Sequence, residues 1–383
     1  MAIIRGHLNS SEALPVTADH VTAEWCSKAL GCTIKEITVL GTIHGTASKL
    51  IIGLAFANGF EKSGLPDRLC VKGGFDPDIL AIYPGLNAIY RREVEFYYYV
   101  APLINMRLPK AWYCGSDTVN GQGIVIMDDL QSNGCTFGNP LEPWPVARVR
   151  AGVEQLAALH AGTWAPKTTM TAEEEEEEEE EGEKNEKRDG KKSFFPWLAG
   201  GSALPAVILA LFEPEPWARR YAEGQRPPSM PDDMLDRERM RAALQKLWAV
   251  SDARYQCLVH GDAHLGNTYV TAEGDPGFID WQGLAVGSAF DDVPYFIVGA
   301  LTVADRREHE VELVEHYLDS LAALGGPRLV RDEVWDEYRR HMMHGFVWAL
   351  TDPHMQPNEV VFVMVERYTT AMADHGTLGL LEC

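Results

Sequence analysis

Three polar residues in one short stretch of the sequence have the types and the spacing that phosphoryl transfer requires. Asp262 and Asn267 are separated by four residues in His-Gly-Asp-Ala-His-Leu-Gly-Asn, and Asp280 follows in Gly-Phe-Ile-Asp-Trp-Gln. In phosphoryl transfer one carboxylate orients and deprotonates the acceptor hydroxyl, while an amide and a second carboxylate hold Mg²⁺ against the nucleotide phosphates. The spacing therefore predicts Asp262 as the catalytic residue and Asn267 and Asp280 as metal ligands.

A predicted β-hairpin would position these three side chains. The apolar runs Thr268–Val270 and Gly277–Ile279 flank a Gly-Asp-Pro turn signal, which is the pattern of two antiparallel strands joined by a short turn. Asn267 stands at the entry to the first strand and Asp280 just past the second. Folding the hairpin back on itself brings both close to Asp262 in the preceding loop.

These motifs resemble those of a known superfamily. Protein kinases have the same Asp-to-Asn spacing in a His-Arg-Asp loop and a second Asp in Asp-Phe-Gly, where this chain has His-Gly-Asp and Ile-Asp-Trp. The chain resembles the aminoglycoside phosphotransferase and choline kinase superfamily, and most closely its CHK kinase-like, or ecdysteroid-kinase-like, branch. The resemblance implies ATP and Mg²⁺ as cofactors. It also implies an α+β, bilobal protein-kinase-like fold, with a small N-lobe of antiparallel sheet plus one helix and a larger, mostly helical C-lobe that carries the catalytic hairpin.

A glycine-containing turn near the start of the chain is the candidate cover for the nucleotide phosphates. It lies between two strand-like runs, Ile34–Leu40 and Leu50–Phe56. Gly45 allows the backbone to come close to a ligand, and the amides from Thr46 to Ser48 can donate to phosphate oxygens. We therefore assign Gly45, Thr46 and Ser48 to the nucleotide site.

A lysine at the end of a short strand is the candidate phosphate-binding cation. Lys72 ends the run Arg68–Lys72, and a buried ammonium is costly unless it is paired. Apolar residues at helical spacing predict a helix over Leu86–Val100, with Glu93 on its apolar face and Glu95 pointing away. In the kinase pattern a strand lysine contacts the α- and β-phosphates and a helix glutamate holds it. We expect Lys72 and Glu93 to form this pair.

The boundary between the two lobes is expected just after a further strand, Gly123–Met127, which ends in Asp-Asp-Leu. In the resembling family an acidic-Asp-Leu sequence closes the last N-lobe strand, and nearby main-chain groups bind adenine. The resemblance thus assigns Asp129 to the nucleotide site through its main chain. We expect residues 1–130 to form a nucleotide-binding N-lobe and residues 131–383 a catalytic and substrate-binding C-lobe.

An uninterrupted acidic run, Glu173–Glu181, lies inside the expected C-lobe and is followed by a mixed-charge tract. Mutual repulsion prevents such a run from forming a core. We therefore expect a disordered insertion over residues 167–193, to which the sequence assigns no role.

Two histidines and one aspartate are expected to support the site. His160, near the end of a predicted amphipathic helix, is expected to be a hydrogen-bonded core residue. Two interpretations of His264 stay open, since it could position the acceptor or stack against Trp281. Asp292 matches, by the resemblance, an aspartate that braces the catalytic loop through its backbone. We also expect Asp292 to begin and cap a helix, because Pro294 is unsuited to a helix interior.

Composition limits the class of protein and its partners. The chain has 383 residues, with 46% hydrophobic and 23% charged residues, as expected of a globular protein. A net charge of −22 argues against nucleic acid or an anionic membrane as a partner. Seven scattered cysteines without a Cys-x-x-Cys pair, and no long apolar run at the start, favour a reducing, cytoplasmic location. The oligomeric state cannot be deduced from the sequence.

These features predict an ATP- and Mg-dependent phosphotransferase that moves the γ-phosphoryl group to a hydroxyl of a small molecule. The acceptor stays open among aminoglycosides, amino alcohols, steroid alcohols and similar compounds, because the acidic composition favours a cation while the aromatic segment Trp197–Tyr221 suits an apolar molecule. A dinuclear metallophosphoesterase would need an early Asp-x-His and a Gly-Asn-His, and neither appears in the right order. A catalytically weak pseudokinase or scaffold with an acidic partner-binding insertion would have no reason to keep all five polar residues of the predicted site.

Overall fold

The computed structural model describes residues 8–56, 64–78, 86–164, 195, 198, 204–250 and 252–382. The predicted insertion over residues 167–193 and Trp197 of the predicted aromatic segment lie outside these ranges.

Five strands in the first third of the chain form one antiparallel sheet. Their bounds are β1 Ile34–Ile43, β2 Ser48–Phe56, β3 Arg68–Gly73, β4 Ala111–Ser116 and β5 Gly123–Asp128. Their order across the sheet is β1-β2-β3-β5-β4. In the β2–β3 pair Lys49 is directly opposite Lys72. Because directly opposed residues project to the same face of a sheet, the two lysine side chains lie side by side.

One face of the sheet packs against helix α1, Ala23–Leu30. Apolar side chains that alternate along the strands form this small core with the buried Cys26; they are Leu50, Ile52, Leu69, Val71, Ile124 and Ile126. The helix is capped by Thr22, whose hydroxyl accepts from the amide of Trp25 (3.2 Å). It ends at Gly31, whose left-handed conformation (φ 65°) suits glycine.

The opposite face of the sheet is covered by helix α2, Leu86–Glu95, which carries Glu93. The single helix predicted to continue to Val100 instead changes to a π-helical turn over Phe96–Val100. Four of the five residues of this turn are buried. The four buried side chains belong to the main core, so this turn connects α2 to the larger lobe.

The larger lobe is mostly helical. Its helices are α3 Val146–Thr163, α4 Leu204–Leu211, α5 Pro214–Arg220, α6 Arg237–Ala249, α7 Ala289–Ala300, α8 Val303–Ala323, α9 Arg331–His341, α10 Val347–Leu350, α11 Asn358–His375 and α12 Thr377–Leu381. Together with the sheet and α2 they give the predicted α+β, bilobal architecture. Within the described ranges, none of the helices has both the length and the apolar composition that a membrane span needs.

A glycine lies where the chain departs from α-helix between α9 and α10. The chain forms a 3-10 turn over Met342–Phe346. A Cβ atom on Gly345 would lie 2.0 Å from Cδ1 of Tyr368. The ring of Tyr368 on α11 therefore packs directly against the backbone of this turn.

Short strands in the larger lobe include the predicted hairpin. β6 Thr136–Phe137 joins β8 Thr268–Val270 and β9 Pro276–Phe278 in one small sheet, while β7 Gln256–Val259 pairs with β10 Ala285–Ser288. The hairpin is therefore confirmed, with its second strand one residue earlier than predicted. Gly274 adopts a positive φ of 97° in the connecting turn, a conformation that side chains rarely allow.

The prediction that a helix begins near Asp292 is wrong. Helix α7 begins at Ala289, and the hydroxyl of Ser288 caps it by accepting from the amide of Phe290 (3.3 Å). Pro294 therefore lies inside the helix and cannot donate to the carbonyl of Phe290. Every residue of α7 except Asp291 is buried, and this packing outweighs the lost hydrogen bond.

Close packing between α3 and α7 gives a test of the core. A Cβ atom on Gly152 would lie 2.4 Å from Cζ of Phe296. We expect Gly152→Ala to lower the free energy of unfolding by about 1–3 kcal/mol, because the ring and the helix must move apart. Gly379→Ala is the control, since a Cβ atom at this helical position meets nothing within 4 Å, and it should leave stability unchanged or raise it by up to about 1 kcal/mol. Urea denaturation measures both, and an equal loss in the two variants would contradict the close contact.

Candidate active site

Buried groups hold the loop that carries Asp262 in place. His260 directly follows β7 and is fully buried, with its Nε2 2.9 Å from the carbonyl oxygen of Ile279. Gly261 has a positive φ of 78°, and a Cβ atom there would lie 2.2 Å from the carbonyl oxygen of Gly283. Only glycine fits this position. The side chain of Asp262 itself is 47% exposed, so the loop presents its carboxylate on the open side.

The buried carboxylate of Asp292 fixes the backbone of this loop. Its Oδ2 accepts from the amide of His260 (2.7 Å) and its Oδ1 from the amide of Gly261 (2.9 Å). Nε2 of His160 lies 3.2 Å from Oδ2, and Nδ1 of the same ring lies 2.8 Å from the hydroxyl of Tyr317. Both the expected bracing role of Asp292 and the expected core role of His160 are confirmed.

Both oxygens of the Asp262 carboxylate accept hydrogen bonds. Nδ2 of Asn267 donates to Oδ2 and to the main-chain oxygen of Asp262, each at 2.9 Å. The hydroxyl of Tyr295 donates to Oδ1 at 3.3 Å. Tyr295 was not predicted from the sequence, although it stands three residues after Asp292 and so shares a helix face with it. The carboxylate is thus held in one rotation by two donors from different elements.

His264 lies beside Asp262, with its Nε2 3.7 Å from Oδ2. Its Nδ1 accepts from the amide of Gly266 (3.0 Å), so the proton of the neutral ring is on Nε2. Burial lowers the pKa of His264, against the opposing effect of the Asp262 carboxylate. The ring meets the edge of Trp348 at 5.1 Å. The alternative in which His264 stacks against Trp281 is wrong, because the ring 4.5 Å from Trp281 is that of His260.

Asp280 occupies a constrained turn between the hairpin and α2. Its φ of 67° is the one positive φ of a non-glycine residue in the described parts of the chain. The ring of Trp281 stacks on Phe96, with the centroids 3.6 Å apart and an interplanar angle of 8°. Nη1 of Arg92 donates to the carbonyl oxygen of Leu284 (2.9 Å). These contacts on both sides hold the turn against the helix, and left-handed backbone at a non-glycine residue persists only where surroundings enforce it.

The ammonium group of Lys72 joins the two lobes. Its Nζ lies 2.6 Å from Oε2 of Glu93 and 2.9 Å from Oδ1 of Asp280, so the predicted pair is confirmed. Lys72 and Glu93 are both buried. Burial alone would lower the pKa of Lys72, but the carboxylates of Asp280 and Glu93 raise it above its ordinary value. The lysine is therefore fully charged.

A second lysine, Lys49, faces the same carboxylate and was not predicted. Its Nζ lies 3.7 Å from Oδ2 of Asp280. Burial alone would raise the pKa of Asp280, but Lys72 and Lys49 together lower it to about 2. Asp280 is thus ionised throughout the physiological range. Strand periodicity alone could not have placed Lys49 beside Lys72, because this also requires the register between β2 and β3.

The turn predicted to cover phosphates directly precedes the strand of Lys49 and is shorter than expected. β1 continues to Ile43, so only residues 44–47 connect it to β2. The hydroxyl of Tyr90 on α2 donates to the carbonyl oxygen of Thr46 (2.7 Å). Ser48 is buried at the start of β2, and Gly45 is exposed. A Cβ atom on Gly41 would meet nothing within 4 Å, so no protein contact requires glycine there.

The side chain of Asp129 is used within the protein. Its Oδ2 lies 2.8 Å from Nη2 of Arg68, and its Oδ1 accepts from the amide of Gln131 (3.2 Å). Its main-chain oxygen accepts from the hydroxyl of Ser132 (2.8 Å). The carboxylate shapes the turn after β5, and nucleotide binding at Asp129 stays a prediction that concerns main-chain groups.

The donors around Asp280 fit a nucleotide-bound Mg²⁺ ion. Magnesium prefers hard oxygen ligands and usually takes one or two from the protein and the rest from phosphate and water. Asp280 supplies an ionised carboxylate, and Asn267, which donates through its nitrogen to Asp262, has its amide oxygen on the other side. Within the described ranges, no three or more His, Cys, Asp or Glu side chains group as a metal site of their own.

A histidine between two carboxylates contacts the start of α7. Nδ1 of His341 lies 2.9 Å from Oδ1 of Asp291, and its Nε2 lies 3.0 Å from Oε1 of Glu337. Burial would lower the pKa of His341, but the two carboxylates outweigh it and raise the pKa to about 9. Asp291 directly precedes Asp292, so this charged group fixes the start of α7 on which the catalytic loop rests.

The sequence and the structure are similar to known proteins as follows. The model of the ecdysteroid kinase-like family matches residues 82–325. No curated protein sequence matches significantly. Similar solved structures include a Plasmodium vivax ethanolamine kinase (13% identity, 88% of this chain and 81% of that chain, TM-score 0.46). They also include a Streptococcus pneumoniae choline kinase (13%, 92% and 97%, 0.44) and the GDP complex of aminoglycoside 2'-phosphotransferase-IIIa (13%, 89% and 93%, 0.44).

The raised pKa of His341 makes part of the stability depend on pH. The ordinary pKa of 6.5 applies to the unfolded chain, so the stabilisation is complete below pH 6.5 and is lost as the pH rises through 9. We expect the stability difference between the parent and His341→Gln to shrink by roughly 3 kcal/mol between pH 6 and pH 10. Denaturant unfolding across this range measures it. His354→Gln, at an exposed position, is the control and should show no such trend; a pH-independent His341→Gln difference would contradict the charged cluster.

Proposed function

Because the chain belongs to the ecdysteroid kinase-like family, we propose that it is an ATP- and Mg-dependent phosphotransferase that moves the γ-phosphoryl group to a hydroxyl of a small molecule. The observation that carries the proposal is the contact of one buried lysine with two carboxylates, Glu93 on α2 and Asp280 after the hairpin. A lysine held in this way is charged, oriented and adjacent to the metal-binding carboxylate, as phosphoryl transfer requires.

The nucleotide is bound by the smaller lobe in this proposal. Lys72 contacts the α- and β-phosphates, and Glu93 prevents its ammonium group from turning away. The amides of Gly45, Thr46 and Ser48 donate to phosphate oxygens from above, and main-chain groups at Asp129 bind the base. We propose the lobe boundary just after this residue, near position 130.

Asn267 and Asp280 would hold the magnesium ion in the larger lobe. The ion, when bound, neutralises charge on the β- and γ-phosphate oxygens. Contacts within the protein set the charge and the orientation of the two side chains before the ion binds. Lys72 and Lys49 keep Asp280 ionised, and the hydrogen bond from Asn267 to Asp262 fixes the amide plane. The ligands are thus preorganised by contacts that the protein makes on its own.

Asp262 orients the acceptor and receives its proton. The acceptor oxygen forms a bond to the γ-phosphorus while the bond from phosphorus to the bridging oxygen of ADP breaks, and the hydroxyl proton goes to the carboxylate. Because this transition state is loose, the proton leaves late and alignment matters most. Asn267 and Tyr295 supply that alignment, since each donates to one oxygen of Asp262.

The acceptor is a small alcohol in this proposal, and the protein acts in the cytoplasm. All six cysteines in the described ranges are free thiols, which fits a reducing compartment. On the acceptor side, Asp262 contacts His264 and Tyr295, and the ring of His264 in turn contacts Trp348. The acceptor hydroxyl would therefore enter beside an aromatic surface with one imidazole N–H.

A substrate screen with a matched pair of aspartate variants tests the function. We expect the parent protein with ATP and Mg²⁺ to add one phosphate to a member of a library of hydroxylated metabolites and antibiotics, detected by mass. Asp262→Ala should lower kcat by about 10²–10⁴-fold, because it removes the base and the orienting group. The control is Asp275→Ala in the hairpin turn, which is 56% exposed and should change kcat by less than about twofold.

Two results would contradict the proposed function. One is Mg-dependent ATP binding without turnover of any acceptor in the library, which would favour the pseudokinase alternative. The other is undiminished turnover in Asp262→Ala.

Two glutamates on the same helix give a second matched test. Glu93 and Glu95 are both buried, but Glu93 contacts Lys72 whereas Glu95 contacts Arg91 (3.1 Å). Loss of one charge-assisted hydrogen bond costs about 1.5–3 kcal/mol, so we expect Glu93→Gln to weaken ATP binding by about 10–100-fold in calorimetric titrations. Glu95→Gln should change it by less than about threefold. Equal effects of the two variants would show that the helix, and not the pair, matters.

A further inference from the structure

Lys49 has no counterpart in the set of residues that the sequence motifs identify. It stands two residues after the turn of residues 44–47 and opposite Lys72 in the β2–β3 register, and both lysines contact the carboxylate of Asp280. We infer that Lys49 is a second phosphate-binding residue of the nucleotide site, which exchanges its contact with Asp280 for the phosphates. The inference rests on the proposed function.

The two lysines are held very differently. Lys72 is buried and contacts two carboxylates at 2.6 and 2.9 Å. Lys49 is 30% exposed and has its one ion pair among the described residues with Asp280, at 3.7 Å. A partly exposed contact of this length contributes little stability. Lys49 can therefore leave Asp280 at little cost, whereas Lys72 stays bound to Glu93.

Metal binding at Asp280 would release Lys49. A magnesium ion lies 2.0–2.1 Å from its oxygen ligands, and an ammonium group facing the same oxygen would be repelled by it. The four-carbon stem of lysine is flexible enough to turn the charge elsewhere. In the proposed site, the anionic group available to Lys49 is the phosphate chain. The turn of residues 44–47, which directly precedes β2, is proposed to cover it.

The charges of the cluster support this exchange. Two lysines face two carboxylates, Glu93 and Asp280, so the group is neutral as it stands. When Asp280 is engaged by the metal, the two lysines share only Glu93, and the excess positive charge faces the phosphates. A single lysine paired with Glu93 would leave no such excess, which gives Lys49 a function that Lys72 cannot supply alone.

Binding titrations of nucleotides with and without phosphates test the inference. We expect Lys49→Met to weaken ATP binding by about tenfold in calorimetry, which is the loss of one charge-assisted hydrogen bond at a partly exposed site. Adenosine, which lacks phosphates, should bind equally well to the variant and the parent. Lys49→Arg should restore ATP affinity to within about threefold of the parent. Lys35→Met, an exposed lysine on β1 of the same sheet, is the control and should change neither affinity.

The outcomes separate this inference from the proposed function. Unchanged ATP affinity in Lys49→Met would overturn the role of Lys49 and leave the function standing. A parallel loss of ATP and adenosine affinity would also overturn it, because it would indicate a change in the shape of the sheet. Failure of the parent protein to bind ATP at all would contradict the proposed function itself.

Discussion

The structure depends on one buried cation between two carboxylates. Lys72 reaches Glu93 on α2 and Asp280 beyond the hairpin, so a single ammonium group links the sheet, its helix and the larger lobe. A buried charge with one partner removed is strongly unfavourable, at about 3–5 kcal/mol. The three elements are therefore held in one arrangement, in which the carboxylate proposed to bind the metal, the lysine proposed to bind phosphate and its glutamate lie together.

Two helices transmit this constraint to the catalytic loop. The π-helical turn that continues α2 holds the turn after the hairpin through the stacking of Phe96 on Trp281. Helix α7 holds the loop from the other side, because Asp292 binds its backbone and Tyr295 binds the carboxylate of Asp262. The supporting groups are buried, while Asp262 faces the open side. The loop is thus rigid because the polar groups that fix it make their hydrogen bonds inside the core. The same arrangement leaves the carboxylate of Asp262 accessible.

Local patterns predicted most elements of the fold and missed where helices begin, change or stop. The hairpin, the strands β1, β2, β3 and β5 and the amphipathic helix that carries His160 follow from periodicity and turn residues. The start of α7 at Ala289, the π turn after Glu95 and the 3-10 turn at Gly345 were not predicted. The 3-10 turn packs against the ring of a distant residue, Tyr368, and propensity is a weak guide where tertiary packing is strong.

By itself the sequence predicted which residues would carry the chemistry, because Asp262, Asn267 and Asp280 are close in the chain and their spacing has few structural solutions. It also paired Lys72 with Glu93, since helical phase placed that glutamate on the buried face. Only the tertiary structure revealed Lys49 beside Asp280 and Tyr295 beside Asp262. Their positions depend on the register between two strands and on the approach of a helix to a loop, and both are set by packing between residues far apart in the chain, which leaves no periodic mark in the sequence.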